Sequence, residues 1–174
     1  MQKADIVIAG PVGLAGTRKL LSLNRDFLAE NFPAAFLNRA EQVLSIEETD
    51  RLAEAVRGFL KETAGLVYIS EGGPGGIEAD LWRAGEALKS GLSADLQQIP
   101  IRQETVEIAE FLNENPYQLD SKGSWLILAE NGRHVANYFK ARGFRAATVG
   151  ELKKEKGRVF HFDHGRETRF LEKP

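Results

Sequence analysis

With 174 residues, 43% of them hydrophobic and 28% charged, the sequence has the size and balance of one globular domain, residues 1–174, which excludes a long disordered tail. It contains no cysteine, so disulfide frameworks, thiolate metal sites and cysteine nucleophiles are excluded together. A net charge of −2 argues against a nucleic-acid-wrapping surface. No run approaches the roughly 18 apolar residues of a membrane span. The start Met1-Gln2-Lys3-Ala4-Asp5 lacks a signal peptide's charge pattern, so the expected location is the cytoplasm.

The first predicted strand is the β-branched run 5–9, stopped by Gly10-Pro11. Gly16-Thr17 offers a hydroxyl N-cap for a helix carrying Leu20, Leu21, Phe27 and Leu28 up to Pro33. A short helix and connector covers 34–44. Ser45-Ile46-Glu47-Glu48 has the capping-box spacing and opens a helix to about Glu62, whose stripe of Leu52, Ala53, Val56, Phe59 and Leu60 is suited to one face of a sheet.

A second strand, 65–69, enters the glycine-dense turn 70–76, and a helix over 77–89 leaves it. Residues 93–96 read as a short edge-like strand. Pro100 precedes a helix over 102–112 with Val106, Ala109 and Leu112 facing inwards, ended by Asn115-Pro116. The run 124–129 is too apolar for a half-exposed strand and is predicted to be central. A helix over 132–142 carries Val135 and Phe139 and stops at Gly143, a left-handed C-cap position. Strands 146–150, 158–163 and 167–171 close the chain, with His164-Gly165 as the turn between the last two. The predicted class is α+β, a mixed and mostly antiparallel sheet layered with helices.

Three segments, in this order and spacing, resemble the C-terminal domain of the aminoimidazole-ribonucleotide (AIR) synthase superfamily. They are Ile6-Val7-Ile8-Ala9-Gly10 with Gly13-Leu14-Ala15-Gly16-Thr17, the strand ending Ser70-Glu71-Gly72-Gly73, and the run from Ile99-Pro100-Ile101-Arg102-Gln103-Glu104-Thr105 through Asn115-Pro116-Tyr117 to Lys122-Gly123-Ser124-Trp125-Leu126-Ile127. The third looks closest to the hydrogenase maturation carbamoyl dehydratase branch. The resemblance implies a PurM C-terminal-like fold with partial ferredoxin-like topology, and a cleft shared with an N-terminal partner domain. That partner domain holds most of the ATP and magnesium machinery and builds much of the dimer. The match begins at the first strand, so the sequence is read as the C-terminal-type half without that ATP-binding half. The branch enzyme works on a cysteine at its own C-terminus, whereas this sequence ends Arg169-Phe170-Leu171-Glu172-Lys173-Pro174. The reactive cysteine or selenocysteine common in the N-terminal region of selenophosphate synthetase, another relative, is absent too.

The foremost candidate site is Glu71-Gly72-Gly73-Pro74-Gly75-Gly76. Glycines let backbone N–H groups approach an anion, and the following helix points its positive end at the same place. Without a Walker lysine and hydroxyl, the same glycines are equally explained by positive φ angles and close strand-helix packing. Candidate ligand contacts are therefore Glu71, Gly72, Gly73, Gly75 and Gly76, with Thr17 and Arg18 at the start of the first helix as a second group. Thr17 also reads as an N-cap and Arg18 as a solvated surface residue. Arg102 and Glu104 match the family pattern but read as helix-start residues, and no catalytic residue is assigned. His161, Asp163 and His164 suggest a metal only superficially, because residues three apart on a strand face opposite ways, and no metal is assigned. His134 reads as exposed, and no hydrolytic triad is spelled.

The leading expectation is a domain that binds a small phosphate- or nucleotide-containing ligand or completes a partner, without full ATP-dependent catalysis alone. Two alternatives stand beside it. One is a subunit of a split enzyme that phosphorylates an amide or carbonyl oxygen with a separately encoded ATP-binding domain; the other is a structural or regulatory homo-oligomer, with a dimer as the default.

Overall fold

The computed structural model describes residues 3–43, 45–62, 64–162 and 165–174. Strand β1 (Asp5–Ala9) leads through a glycine turn into α1 (Leu14–Leu23), followed by α2 (Arg25–Asn31), α3 (Ala34–Val43) and α4 (Ile46–Glu62). Strand β2 (Leu66–Glu71) and α5 (Gly76–Ala87) repeat the strand-glycine-helix pattern. Then come β3 (Gly91–Asp95), a one-turn 3-10 helix (Leu96–Gln98), α6 (Gln103–Phe111), β4 (Trp125–Ala129), α7 (Gly132–Lys140), β5 (Ala146–Lys153), β6 (Arg158–Phe162) and β7 (Glu167–Phe170).

The strands form one sheet in the order β2-β4-β1-β5-β3-β6-β7, antiparallel throughout except for the parallel β3–β6 pair. This is the predicted mixed, mostly antiparallel α+β class. Alternation along the strands sorts the core into two layers. Ile6, Ile8, Leu126 and Leu128 pack with Ile77, Leu81 and Ala84 of α5, while Val7, Ala9, Ile127 and Ala129 pack with α4 and α7 through Val56, Phe59, Val135 and Phe139. Burial on both faces explains why β4 reads as continuously apolar. A third cluster joins α1, α2, α3 and α6 beside the sheet, around Leu14, Leu28, Phe36 and Ile108. Among the described residues no helix is long and apolar enough to cross a membrane.

Several predicted details change. The first helix begins at Leu14 with Gly13 at the N-cap, so Thr17 is not the cap; it lies one turn inside and donates to the Gly13 carbonyl at 2.7 Å. The helix also breaks at Asn24, giving α1 and α2 in place of one helix to Pro33. Leu60 leaves the buried stripe of α4 and is 44% exposed. The edge-like strand is interior: β3 has β5 on one side and β6 on the other. On α6 the buried positions are Glu104, Thr105, Ile108 and Ala109, so Val106 and Leu112 are only partly covered. An acidic residue faces inwards there because Arg39 meets it at 2.8 Å. Gly143 does take the left-handed conformation expected of it, with φ 84. The turn read at His164-Gly165 lies partly outside the described residues.

Candidate functional site

Strands β1 and β2 flank antiparallel β4, so both finish at the edge of the sheet where β4 begins; Ala9 and Glu71 each stand opposite Trp125. The two glycine turns therefore emerge side by side. Between them runs the loop 115–124, and both turns grip it. From the first turn, the Gly13 N–H donates to Ser121 Oγ at 3.0 Å and the Gly16 N–H to the Asp120 carbonyl at 2.9 Å. From the second, the Gly72 N–H donates to the Ser124 carbonyl at 2.8 Å, and the Gly73 carbonyl accepts from the Ser121 N–H at 3.2 Å. Ser121 is fully buried where the turns meet.

Close approach sets the residue type at several of these glycines, Gly16 and Gly76 among them. A Cβ on Gly16 would stand 2.7 Å from the Asp120 nitrogen and 2.8 Å from Leu119 Cβ. Gly76 has φ 66 and would drive a Cβ to 2.7 Å from both the Gln118 carbonyl carbon and the Leu119 oxygen. Both α1 and α5 are entered through a left-handed glycine N-cap, Gly13 with φ 75 and Gly75 with φ 84.

Much of the glycine turn's donor capacity is spent internally. The Gly72 amide serves Ser124, and the Gly76 amide serves the Gly73 carbonyl at 3.1 Å. The positive end of α5 is answered by the protein's own carboxylates. Glu78 is buried and accepts from Arg169 at 2.5 Å, Gln118 at 3.1 Å and Asn115 at 3.3 Å, which ties β7 and the loop to the helix. Asp80 is also buried and pairs with Arg83 at 2.5 Å. Burial pushes its carboxyl up to about 6, against the opposing pull of Arg83 and the Gly73 backbone, with Asp120 adding to the rise. Glu71 is exposed, and its Oε1 accepts from the Gly123 N–H at 3.1 Å. Beside the turn opens a cavity of about 300 Å³ lined by Gly75, Glu78, Ala79 and Gln118 together with Glu172, Lys173 and Pro174.

Neither a family model nor a curated protein matches the chain. Solved structures do. Escherichia coli HypE superposes with a TM-score of 0.78 at 18% identity, over 98% of this chain and 50% of that one. The chain has the AIR synthase-related fold. Hydrogenase maturation protein HypE in complex with ATP gives 0.76 at 17% identity, over 100% of this chain and 51% of that one. Thiamine-monophosphate kinase from Aquifex aeolicus gives 0.60 at 16%, over 100% and 53%. The chain thus spans about half the length of the solved chains it matches, consistent with a C-terminal-type half domain of the AIR synthase-related fold. At these identities the likeness is one of fold.

Within that fold the candidate residues divide. Glu71, Gly72, Gly73, Gly75 and Gly76 form one turn, as read. Thr17 is fully buried, with its hydroxyl committed to Gly13. Arg18 lies two residues beyond Gly16, about 200° round the helix from the face that grips the loop. It lines a groove of about 410 Å³ with Leu21, Ser22, Arg25 and Glu41, where Arg25 and Glu41 stand 2.7 Å apart. Arg102 and Glu104 tie helices together. Arg102 engages the Glu48 carboxylate at 3.1 and 3.2 Å, and Glu104 takes Arg39. Burial alone would raise the Glu104 carboxyl, but its own backbone N–H and the Arg39 guanidinium hold it below its ordinary value. His161 meets Thr168 across the β6–β7 pair at 3.1 Å, while Asp163 and His164 lie outside the described residues.

Sequence reasoning missed Ser121, Glu78, Asp80 and Arg83. Acidic residues early in a helix carry the ordinary macrodipole signature, so nothing local marked them as buried. Ser121 gave no signal, because its role is set by glycines remote in sequence, Gly13 in the first turn and Gly73 in the second.

Proposed function

We propose that this domain works as the C-terminal-type half of an AIR synthase-related, ATP-dependent system. It completes a partner that carries the ATP and magnesium machinery and presents its glycine end to a small phosphate- or nucleotide-containing ligand in the shared cleft. The observation that carries this reading is the convergence of the two glycine turns and the loop 115–124 on one edge of the sheet, with exposed Glu71 beside them. Because the Gly72 and Gly76 amides are already spent, the turn serves as a shaped wall more than as a phosphate cradle. Glu71 is the side chain for a ribose hydroxyl or an amine, and Gly75 is the remaining backbone contact at the turn; Arg18, in the separate groove beside Arg25 and Glu41, drops out of this site. Thiamine-monophosphate kinase and HypE, the latter solved with ATP, share the fold, which supports nucleotide chemistry at the level of the whole assembly. A cytoplasmic homodimer is the form proposed when no such partner is present. The exposed side chains of Leu23, Phe27, Ile46 and Phe170 favour some protein contact.

The test is turnover by the pure full chain with ATP and magnesium. The expected result is no steady hydrolysis. Sustained hydrolysis that is lost in Glu71→Gln would overturn the reading, because it would make this chain a complete enzyme.

A further inference from the structure

The tip of the glycine turn is held from the helix side by two charged groups that the proposed cleft does not use. Asp80 projects from α5, with only 3% of its side chain exposed, and its Oδ1 takes Arg83 Nη2 at 2.5 Å. Its Oδ2 has no hydrogen-bond partner of full geometry among the described residues, although the Gly73 backbone acts on the carboxylate. The same Arg83 guanidinium reaches the Pro74 carbonyl from both terminal nitrogens, at 3.4 and 3.3 Å. One guanidinium therefore bridges a buried carboxylate and the apex of the turn. The charged groups acting on Asp80 are Arg83 from its own helix and Asp120 from the loop 115–124.

We propose that Asp80 and Arg83 are positioning residues that keep the glycine turn in its observed shape while Asp80 is ionised and release it when Asp80 is protonated. A proton on the carboxyl removes the anionic partner of Arg83, leaving the guanidinium only long contacts to a neutral carbonyl, and these are weak beside a charge-assisted pair. It also removes a charge that helps align the Gly73 backbone. Burial sets the midpoint, raising the carboxyl to about 6, so the change falls in a range that few side chains cover. The bracket stands whether or not the turn meets a ligand, so it goes beyond the proposed function and is tested without one.

The experiment is an amide titration of the ¹⁵N-labelled full chain from about pH 7.5 to about pH 5, following Gly72, Gly73, Gly75 and Gly76. The expected result is that the Gly73 and Gly75 resonances shift together with one midpoint near 6. In Asp80→Asn that titration is lost, and in Asp120→Asn its midpoint moves down because a like charge has been removed. The charge acting through its own backbone hydrogen bond alone would move only the Gly73 amide, so a Gly75 amide that does not follow it would also overturn the proposal. Flat glycine amides across the range, or the same curve in Asp80→Asn, would overturn the proposal. If Asp80→Asn fails to fold, the Asp120→Asn midpoint decides alone: an unmoved midpoint rejects the proposal.

Discussion

Glu78 and Asp80 stand two positions apart at the start of α5 and find different numbers of partners. Glu78 is satisfied by Arg169, Gln118 and Asn115, so its burial is compensated several times over. Its truncation in Glu78→Ala leaves those donors facing an empty site and is expected to cost about 2 kcal/mol, read by urea unfolding at neutral pH. Asp80 has one strong partner and a carboxyl raised from 3.8 to about 6. The folded protein thus binds that proton more tightly than the unfolded chain. Stability contributed by Asp80 is full below about pH 4 and declines as pH rises towards about 6, by as much as about 3 kcal/mol. Asp80→Asn is therefore expected to unfold at higher urea than the parent at about pH 7.5, with the gap closing towards about pH 4. A gap independent of pH would refute the assignment. What the charge secures is the shape of the turn, at a cost to the molecule as a whole. None of this was legible in the sequence, where Glu78-Ala79-Asp80 has the composition of any helix start; burial depends on where Arg169 and Asp120 fold back.

At the scale of elements, glycine density marked both turns correctly but gave the wrong capping group for the first. A left-handed glycine begins α1, and the threonine that looked like a cap is buried one turn later. The glycines are demanded by the loop 115–124, which is remote in sequence from both turns. Gly16→Ala pushes a methyl group into Leu119 and Asp120 and is expected to cost about 2 kcal/mol. Gly76→Ala adds an unfavourable positive φ to a similar clash and is expected to cost more. Ser121→Ala, which removes the acceptor of the Gly13 N–H, is expected to cost about 1 kcal/mol. Thermal unfolding of the three variants checks both the order and the sizes. Apolar runs and alternation were enough to find β1, β4 and α7, because burial there follows from local pattern. They could not place β3, whose Ser93 and Asp95 suggest an edge; its interior position comes from pairing with β6, more than sixty residues away. The phase of α6 was missed for a similar reason, since Glu104 is turned inwards by an arginine on α3.

At the scale of the whole molecule, the fold agrees with the sequence-level resemblance, and the proposed reading puts ligand and partner in an assembly with a second domain. The chain matches half the length of the solved proteins that share its fold. Its glycine end offers a wall, an exposed carboxylate and an adjoining cavity without a ready-made phosphate cradle. In the proposed function that surface faces a second domain. Native mass spectrometry of the tagged full chain, purified from its own host's extract, tests that most directly. The expected result is a stoichiometric complex with a protein carrying a glycine-rich ATP-binding domain, weakened by Glu71→Lys at the exposed rim of the turn. A chain recovered only alone or as its own oligomer, with the same mass spectrum for Glu71→Lys, would contradict it.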